Sequence, residues 1–216
     1  MNNNKELEIR NIQGNITRSD DTRHVEGYAL VFDSRSEDLG FYEYIDRDAI
    51  AQDMINSCDV FALLNHDDNK VLARSYQGSG SLSLEVDDKG LYYSFDAPNT
   101  ALGDELLEYL KRGEIFGSSF AFYVDYKDES AQTWERKDGV NYRYIHKIAY
   151  IHDVSPVFSP AYSATSVSQR SLDKCKEMED FENEQRNLEE QKKQEIIDSL
   201  DAKLQEINDI TNKFTV

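Results

Sequence analysis

Apolar and polar residues alternate with a period of two over several short runs between residues 24 and 158. The clearest are His24-Val25-Glu26-Gly27-Tyr28-Ala29-Leu30-Val31-Phe32, Ser81-Leu82-Ser83-Leu84-Glu85-Val86 and Leu91-Tyr92-Tyr93-Ser94-Phe95. A strand sends successive side chains to opposite faces, so this pattern predicts half-buried strands. Asp87-Asp88-Lys89-Gly90 separates the last two runs and predicts a hairpin. Further strands are expected over residues 60–65, 71–76, 115–126, 142–151 and 154–158. Many short strands with turn residues between them predict a barrel or a sandwich.

Helical spacing interrupts the strands twice. Residues 46–57 open on an aspartate suited to capping and carry Ala49, Ile50 and Met54 on one face. Residues 102–112 give the clearer signal. Thr100 can cap this helix, Asp104 and Glu105 fill its first turn, Lys111 and Arg112 its last, and Gly113 ends it. Its apolar stripe is Leu102, Leu106, Leu107 and Leu110. After the small polar run Ser163-Ala164-Thr165-Ser166-Val167-Ser168 the character of the chain changes. Residues 171–216 hold 13 acids and 7 bases and lack Gly, Pro and Trp. Ile197, Leu200, Leu204, Ile207 and Phe214 fall on a/d positions, with Thr211 the polar exception, which is about two and a half heptads. The division expected is therefore a folded domain over 1–164, then a linker and acidic helical tail over 165–216.

Charge narrows the function classes. The 216 residues hold 42 acids against 24 Lys and Arg, a formal net charge of −18. Such a chain repels nucleic-acid phosphates and shows no basic stripe, so nucleic-acid binding is not expected. No run reaches the ~18 apolar residues needed to span a bilayer, and the N-terminus has no apolar signal region. Cys58 and Cys175 form no CxxC pair and imply neither a disulfide framework nor a zinc cluster. A reducing cytoplasm is the expected location. The 24 aromatics are expected mostly in the core, with Trp134 anchoring a polar loop over residues 130–140.

Three short segments carry acid–base or nucleophilic residues at the edges of apolar runs. His66 follows Val60-Phe61-Ala62-Leu63-Leu64, where a rigid strand would present an imidazole able to take up and return a proton. Ser118 and Ser119 lie in Ile115-Phe116-Gly117-Ser118-Ser119-Phe120-Ala121-Phe122. Alternation lets only one of them face a cleft, and Gly117 is expected to let a substrate backbone approach closely. His152 and Asp153 are alternative third members. Tyr150, His152 and Val154 are expected on one face, with Ile151, Asp153 and Ser155 on the other. A histidine, a hydroxyl and an acid are the parts of a serine-nucleophile triad, in which chain order is free. Asp67-Asp68-Asn69 offers a competing cation-binding turn, although it lacks the glycine and distal glutamate of an EF-hand loop.

Taken together, the segments over about residues 26–164 resemble the prohead proteases of tailed bacteriophages. The carriers are Gly27-Tyr28-Ala29-Leu30-Val31-Phe32, Leu64-Asn65-His66-Asp67, Gly90-Leu91-Tyr92, Leu110-Lys111-Arg112-Gly113, Gly117-Ser118-Ser119-Phe120-Ala121-Phe122 and Asp153-Val154-Ser155-Pro156-Val157-Phe158-Ser159-Pro160-Ala161-Tyr162. The family's Gly-x-Ser-Phe-Gly-Phe pattern selects Ser119 over Ser118, with Ala121 in place of the second glycine. Its acid before Val-Ser maps to Asp153. The related herpesvirus assembly proteases use a histidine there, which keeps His152 as the second choice. Tyr44-Ile45-Asp46-Arg47-Asp48-Ala49-Ile50 departs from the family's Pro-Gly-Ala-Phe type at a helix entry.

The resemblance implies a β-rich domain closed into a herpesvirus-protease-like barrel with helices outside, followed by the helical tail. It implies a serine endopeptidase with Ser119, His66 and Asp153 as its catalytic residues and no need for a cofactor or metal. The implied partners are the major capsid protein with its scaffolding segment, and the chain itself, as a self-processing substrate and a homo-oligomer. The implied site of action is the assembling prohead in the host cytoplasm. The region from Ser163 to Ser171 has the look of an accessible self-cleavage segment. The competing class is a non-catalytic capsid scaffolding protein acting through the acidic tail.

Overall fold

The computed structural model describes residues 7–14, 16–18, 22–158 and scattered positions between 172 and 205. The chain divides into two compact units, Met1–Ser168 and Gln169–Val216. In chain order the first unit contains β1 (Glu8–Gln13), β2 (Ile16–Arg18), β3 (His24–Val31), β4 (Tyr42–Ile45), α1 (Gln52–Ile55), β5 (Asp59–Leu63) and β6 (Val71–Tyr76). It continues with β7 (Ser79–Gly80), β8 (Leu82–Val86), β9 (Gly90–Asp96), α2 (Ala101–Arg112), β10 (Gly117–Tyr123), β11 (Gln132–Lys137), β12 (Val140–Ile145) and β13 (Tyr150–Val157).

These strands form three sheets. The first has the order β1-β10-β13-β5-β6-β7, the second β11-β12-β4 and the third β2-β3-β9-β8. The expected closed barrel is not what the described residues build. The ladder stops at β7, where the backbone N–H of Arg74 donates to the Ser81 side-chain hydroxyl at 3.3 Å. It stops again after β1, where Gly14 turns the chain at φ 69 and donates to the Phe116 carbonyl at 2.9 Å. Strand edges therefore remain, and the core is held by packing between sheets. Val25, Ala29, Leu91, Tyr93, Phe120 and Phe122 are fully buried in it.

Helix α2 follows the sequence closely. The Thr100 hydroxyl accepts from the Gly103 N–H, and Gly113 ends the helix in the left-handed region at φ 70. Residues 46–57 do not make one helix. They make a 3-10 turn, Arg47–Ala49, and the single turn of α1, with Ile50 and Ala51 extended between them. Asp46 makes no side-chain cap; its carboxylate meets His146 Nδ1 at 2.5 Å instead. The single strand expected over 142–151 is two, because residues 146–149 turn the chain between β12 and β13. The polar stretch around Trp134 is strand β11, and the indole packs edge-on against Phe41 with ring centroids 5.0 Å apart.

In the second unit the described positions are helical. Ile197, Leu200 and Leu204 are exposed there. Ile207, Thr211, Phe214 and the linker over 163–168 lie outside the described residues. Among the described residues no helix is long and apolar enough to cross a membrane.

Candidate active site

Strand order creates the site. β13 pairs antiparallel with β10 on one side and parallel with β5 on the other. The Ser119 strand, the Asp153 strand and the strand that leads to His66 are thus consecutive neighbours. In β10, the core face holds Ser118, whose Oγ lies 2.8 Å from the buried Tyr93 hydroxyl, and Phe120. Alternation puts Ser119 on the opposite face.

Asp153 shares that face with Ser155 by plain alternation, but just before it β13 carries an irregularity the sequence pattern hides. Ala121 pairs with Asp153 and Phe122 with Ile151, so His152 is an extra residue on β13. Such a bulge resets the alternation. Ile151 joins the core with Val154, whereas the expectation put it on the face of Asp153. His152 turns elsewhere: its Nε2 lies 3.6 Å from Asp68, and its ring 6.1 Å from that of Phe61.

His66 depends on the loop between β5 and β6. Asn65 and His66 both adopt left-handed backbone conformations, at φ 57 and 58. This is costly for residues bearing a Cβ and is found where the surroundings over-determine the chain. The Asn65 N–H donates to the Pro156 carbonyl of β13 at 2.9 Å, and the Leu64 N–H to Lys70 at 3.0 Å. The Asp67 carboxylate accepts from the Asn69 backbone at 3.0 Å, which closes the turn. Asp67 is thus engaged locally, and among the described residues no cluster of His, Cys, Asp and Glu forms a metal site.

The three groups meet as a hydrogen-bonded run. His66 Nδ1 lies 2.7 Å from Asp153 Oδ1, and His66 Nε2 lies 2.6 Å from Ser119 Oγ. An ionised carboxylate only accepts, so Nδ1 carries the proton facing it and Nε2 is left to accept from the serine. The His66 side chain is 18% exposed, while Asp153 and Ser119 are buried. An alcohol whose proton can pass to an imidazole becomes a nucleophile, and the carboxylate stabilises the imidazolium that results.

Two features of the site were not foreseen. The Ser119 hydroxyl also lies 2.9 Å from the Arg10 carbonyl of β1, so its single proton has two acceptors within reach. No side-chain pattern could signal a backbone carbonyl. The second is Ser155, whose hydroxyl donates to Asp153 Oδ1 at 2.5 Å; its signal was the spacing of two from Asp153. The close backbone approach allowed by Gly117 is taken by the protein itself. A Cβ there would lie 2.9 Å from the Ile12 carbonyl of β1. A cavity of about 450 Å3 lies beside β1, lined by Leu30, Val31, Glu43 and Phe120 among others, and none of the three site residues borders it.

A comparison with curated proteins finds no match. Among solved structures, the bacteriophage T4 capsid assembly protease is similar at 14% identity, with a TM-score of 0.48, over 73% of this chain and 100% of that one. The family model described as caudovirus prohead serine protease matches residues 5–184, which contain every strand among the described residues and all three site residues. That match covers most of the chain, and the chain belongs to the caudovirus prohead serine protease family.

Proposed function

We propose that the chain is a serine endopeptidase in which Ser119, His66 and Asp153 carry the reaction. The observation that supports this best is the continuous run from Asp153 through His66 to Ser119, with both links under 3 Å. Ser119 Oγ attacks a peptide carbonyl carbon as its proton passes to His66 Nε2, and a tetrahedral intermediate forms. The imidazolium then returns that proton to the leaving amine as the C–N bond breaks. Water, deprotonated in turn by Nε2, hydrolyses the acyl-enzyme and regenerates the serine. Asp153 keeps the Nδ1 proton in place and offsets the imidazolium charge throughout.

Ser119 has no exposed surface, so a substrate carbonyl reaches Oγ only when the imidazole or β1 yields. Family membership supports action on prohead components; the scaffolding segment of the major capsid protein and the chain itself are the proposed substrates. Membership also supports action inside the assembling prohead. The region over residues 163–171 is the proposed self-cleavage segment.

Mass spectrometry of the purified chain after incubation, wild type beside Ser119→Ala and His66→Ala, tests the assignment. The wild type should yield discrete fragments, and each variant should slow their appearance by roughly 10^4-fold or more. Unchanged processing in Ser119→Ala would refute it.

A further inference from the structure

We propose that Ser155 is a positioning residue, whose hydroxyl holds the Asp153 carboxylate in the orientation that meets His66. The role named for that pair rests on the protease reading; the hydrogen bond itself does not. Ser155 Oγ donates to Asp153 Oδ1 at 2.5 Å, and this same oxygen stands 2.7 Å from His66 Nδ1. Both residues are buried, Ser155 at 0% and Asp153 at 1% exposure, which leaves no solvent-accessible face where bulk water could replace the hydroxyl.

The backbone explains why the contact is available. Residues 153 and 155 lie two apart on β13, beyond the bulge at His152, so both side chains leave the sheet on one face. Ser155 is the register partner of Ser119, and Asp153 is that of Ala121, the next outward position on β10. Ala121 is small and cannot bond a carboxylate. The terminal torsion of an aspartate is broad, so burial alone does not fix the plane in which the carboxylate meets the imidazole. A fixed donor on one of its oxygens does.

Thr and Val at position 155 have the same shape and differ in the hydroxyl, so comparing them separates hydrogen bonding from packing. The full chain carrying Ser155→Ala, Ser155→Thr or Ser155→Val is followed by its first-order self-processing rate. The Ala and Val variants should slow by roughly 10- to 100-fold, and Thr should recover most of the loss seen in Val. Equal rates for Thr and Val would overturn the proposal. The second readout needs no catalysis. In the Ser119→Ala background, the low-field proton resonance of the His66 Nδ1–H facing Asp153 is assigned by its loss in His66→Gln. Adding Ser155→Ala should shift or broaden this resonance, and an unmoved resonance would overturn the proposal even if the β-branched variants fail to fold. Continued processing by Ser119→Ala alone would remove the protease reading and leave the resonance test standing.

Discussion

Replacing Arg143 by methionine tests what fastens β1 beside Ser119. Arg143 is fully buried. Its Nη1 lies 2.6 Å from Glu8 and 2.8 Å from Glu43, its Nη2 3.0 Å from Glu8, and its Nε 2.7 Å from Gln132. Arg10 completes the cluster, with Nε 2.7 Å from Glu43 and Nη2 2.8 Å from Glu8. Two guanidiniums balance two carboxylates, and together they join β1 to β4 and β12. Burial pushes the Glu8 carboxyl up, but Arg143 and then Arg10 more than reverse this and hold it at about 2. Methionine fills similar volume and leaves two carboxylates facing one guanidinium.

Breaking a buried ion pair on one side costs about 3–5 kcal/mol, a large part of the ~5–15 kcal/mol that stabilises a domain. With a urea dependence of about 2 kcal/mol per molar, the unfolding midpoint should fall by ~2 M. Urea titration in the Ser119→Ala background measures it without self-processing. The pH dependence gives a second sign. In the wild type, Glu8 stays ionised far below its ordinary 4.5, so its contribution is present above that value and is lost as pH falls toward 2. In the variant, burial is opposed by Arg10 and the Tyr126 hydroxyl without Arg143, and the folded carboxyl rises, so the deficit should shrink between pH 7 and pH 5. A loss below about 1 kcal/mol at pH 7, or a deficit that grows on acidification, would refute the reasoning.

Ser118→Ala should retain self-processing within a few-fold, because this hydroxyl faces the core. It leaves the buried Tyr93 hydroxyl without that partner, and a loss of about 1–3 kcal/mol should appear in thermal or urea unfolding. Abolished processing would mean that the wrong serine has been assigned. Gly90→Ala should lower the melting temperature, because a Cβ would sit 1.9 Å from the Leu30 carbonyl where β9 pairs with β3. Relief requires backbone movement, at about 1–3 kcal/mol or more; an unchanged melting temperature would show that the two strands are not so close.

Local patterns carried much of the fold and failed at identifiable points. Residues 71–76 form a strand over the range expected, and α2 obeys its cap residues at both ends. Strand β1 gave no clear signal, because its inward residues include Glu8 and Arg10, which are buried by mutual neutralisation. Strand β11 was concealed in the same way by its polar, exposed composition. The helix expected from Asp46 broke because the carboxylate that would have capped it is engaged by His146, which is distant in sequence.

The order of residues alone determines the strand-rich character of the first unit, the capped helix α2, and the fact that only one of Ser118 and Ser119 can face outward from β10. Each of these follows from side-chain periodicity or from a cap within a few positions. Tertiary structure decided that the sheets stay open, that His152 is a bulge and Asp153 the neighbour of His66, and that the Arg10 carbonyl and Ser155 enter the site. These depend on strand order, register and backbone groups, which arise between segments as distant as Arg10 and Ser119, 109 residues apart, and leave no trace in local spacing.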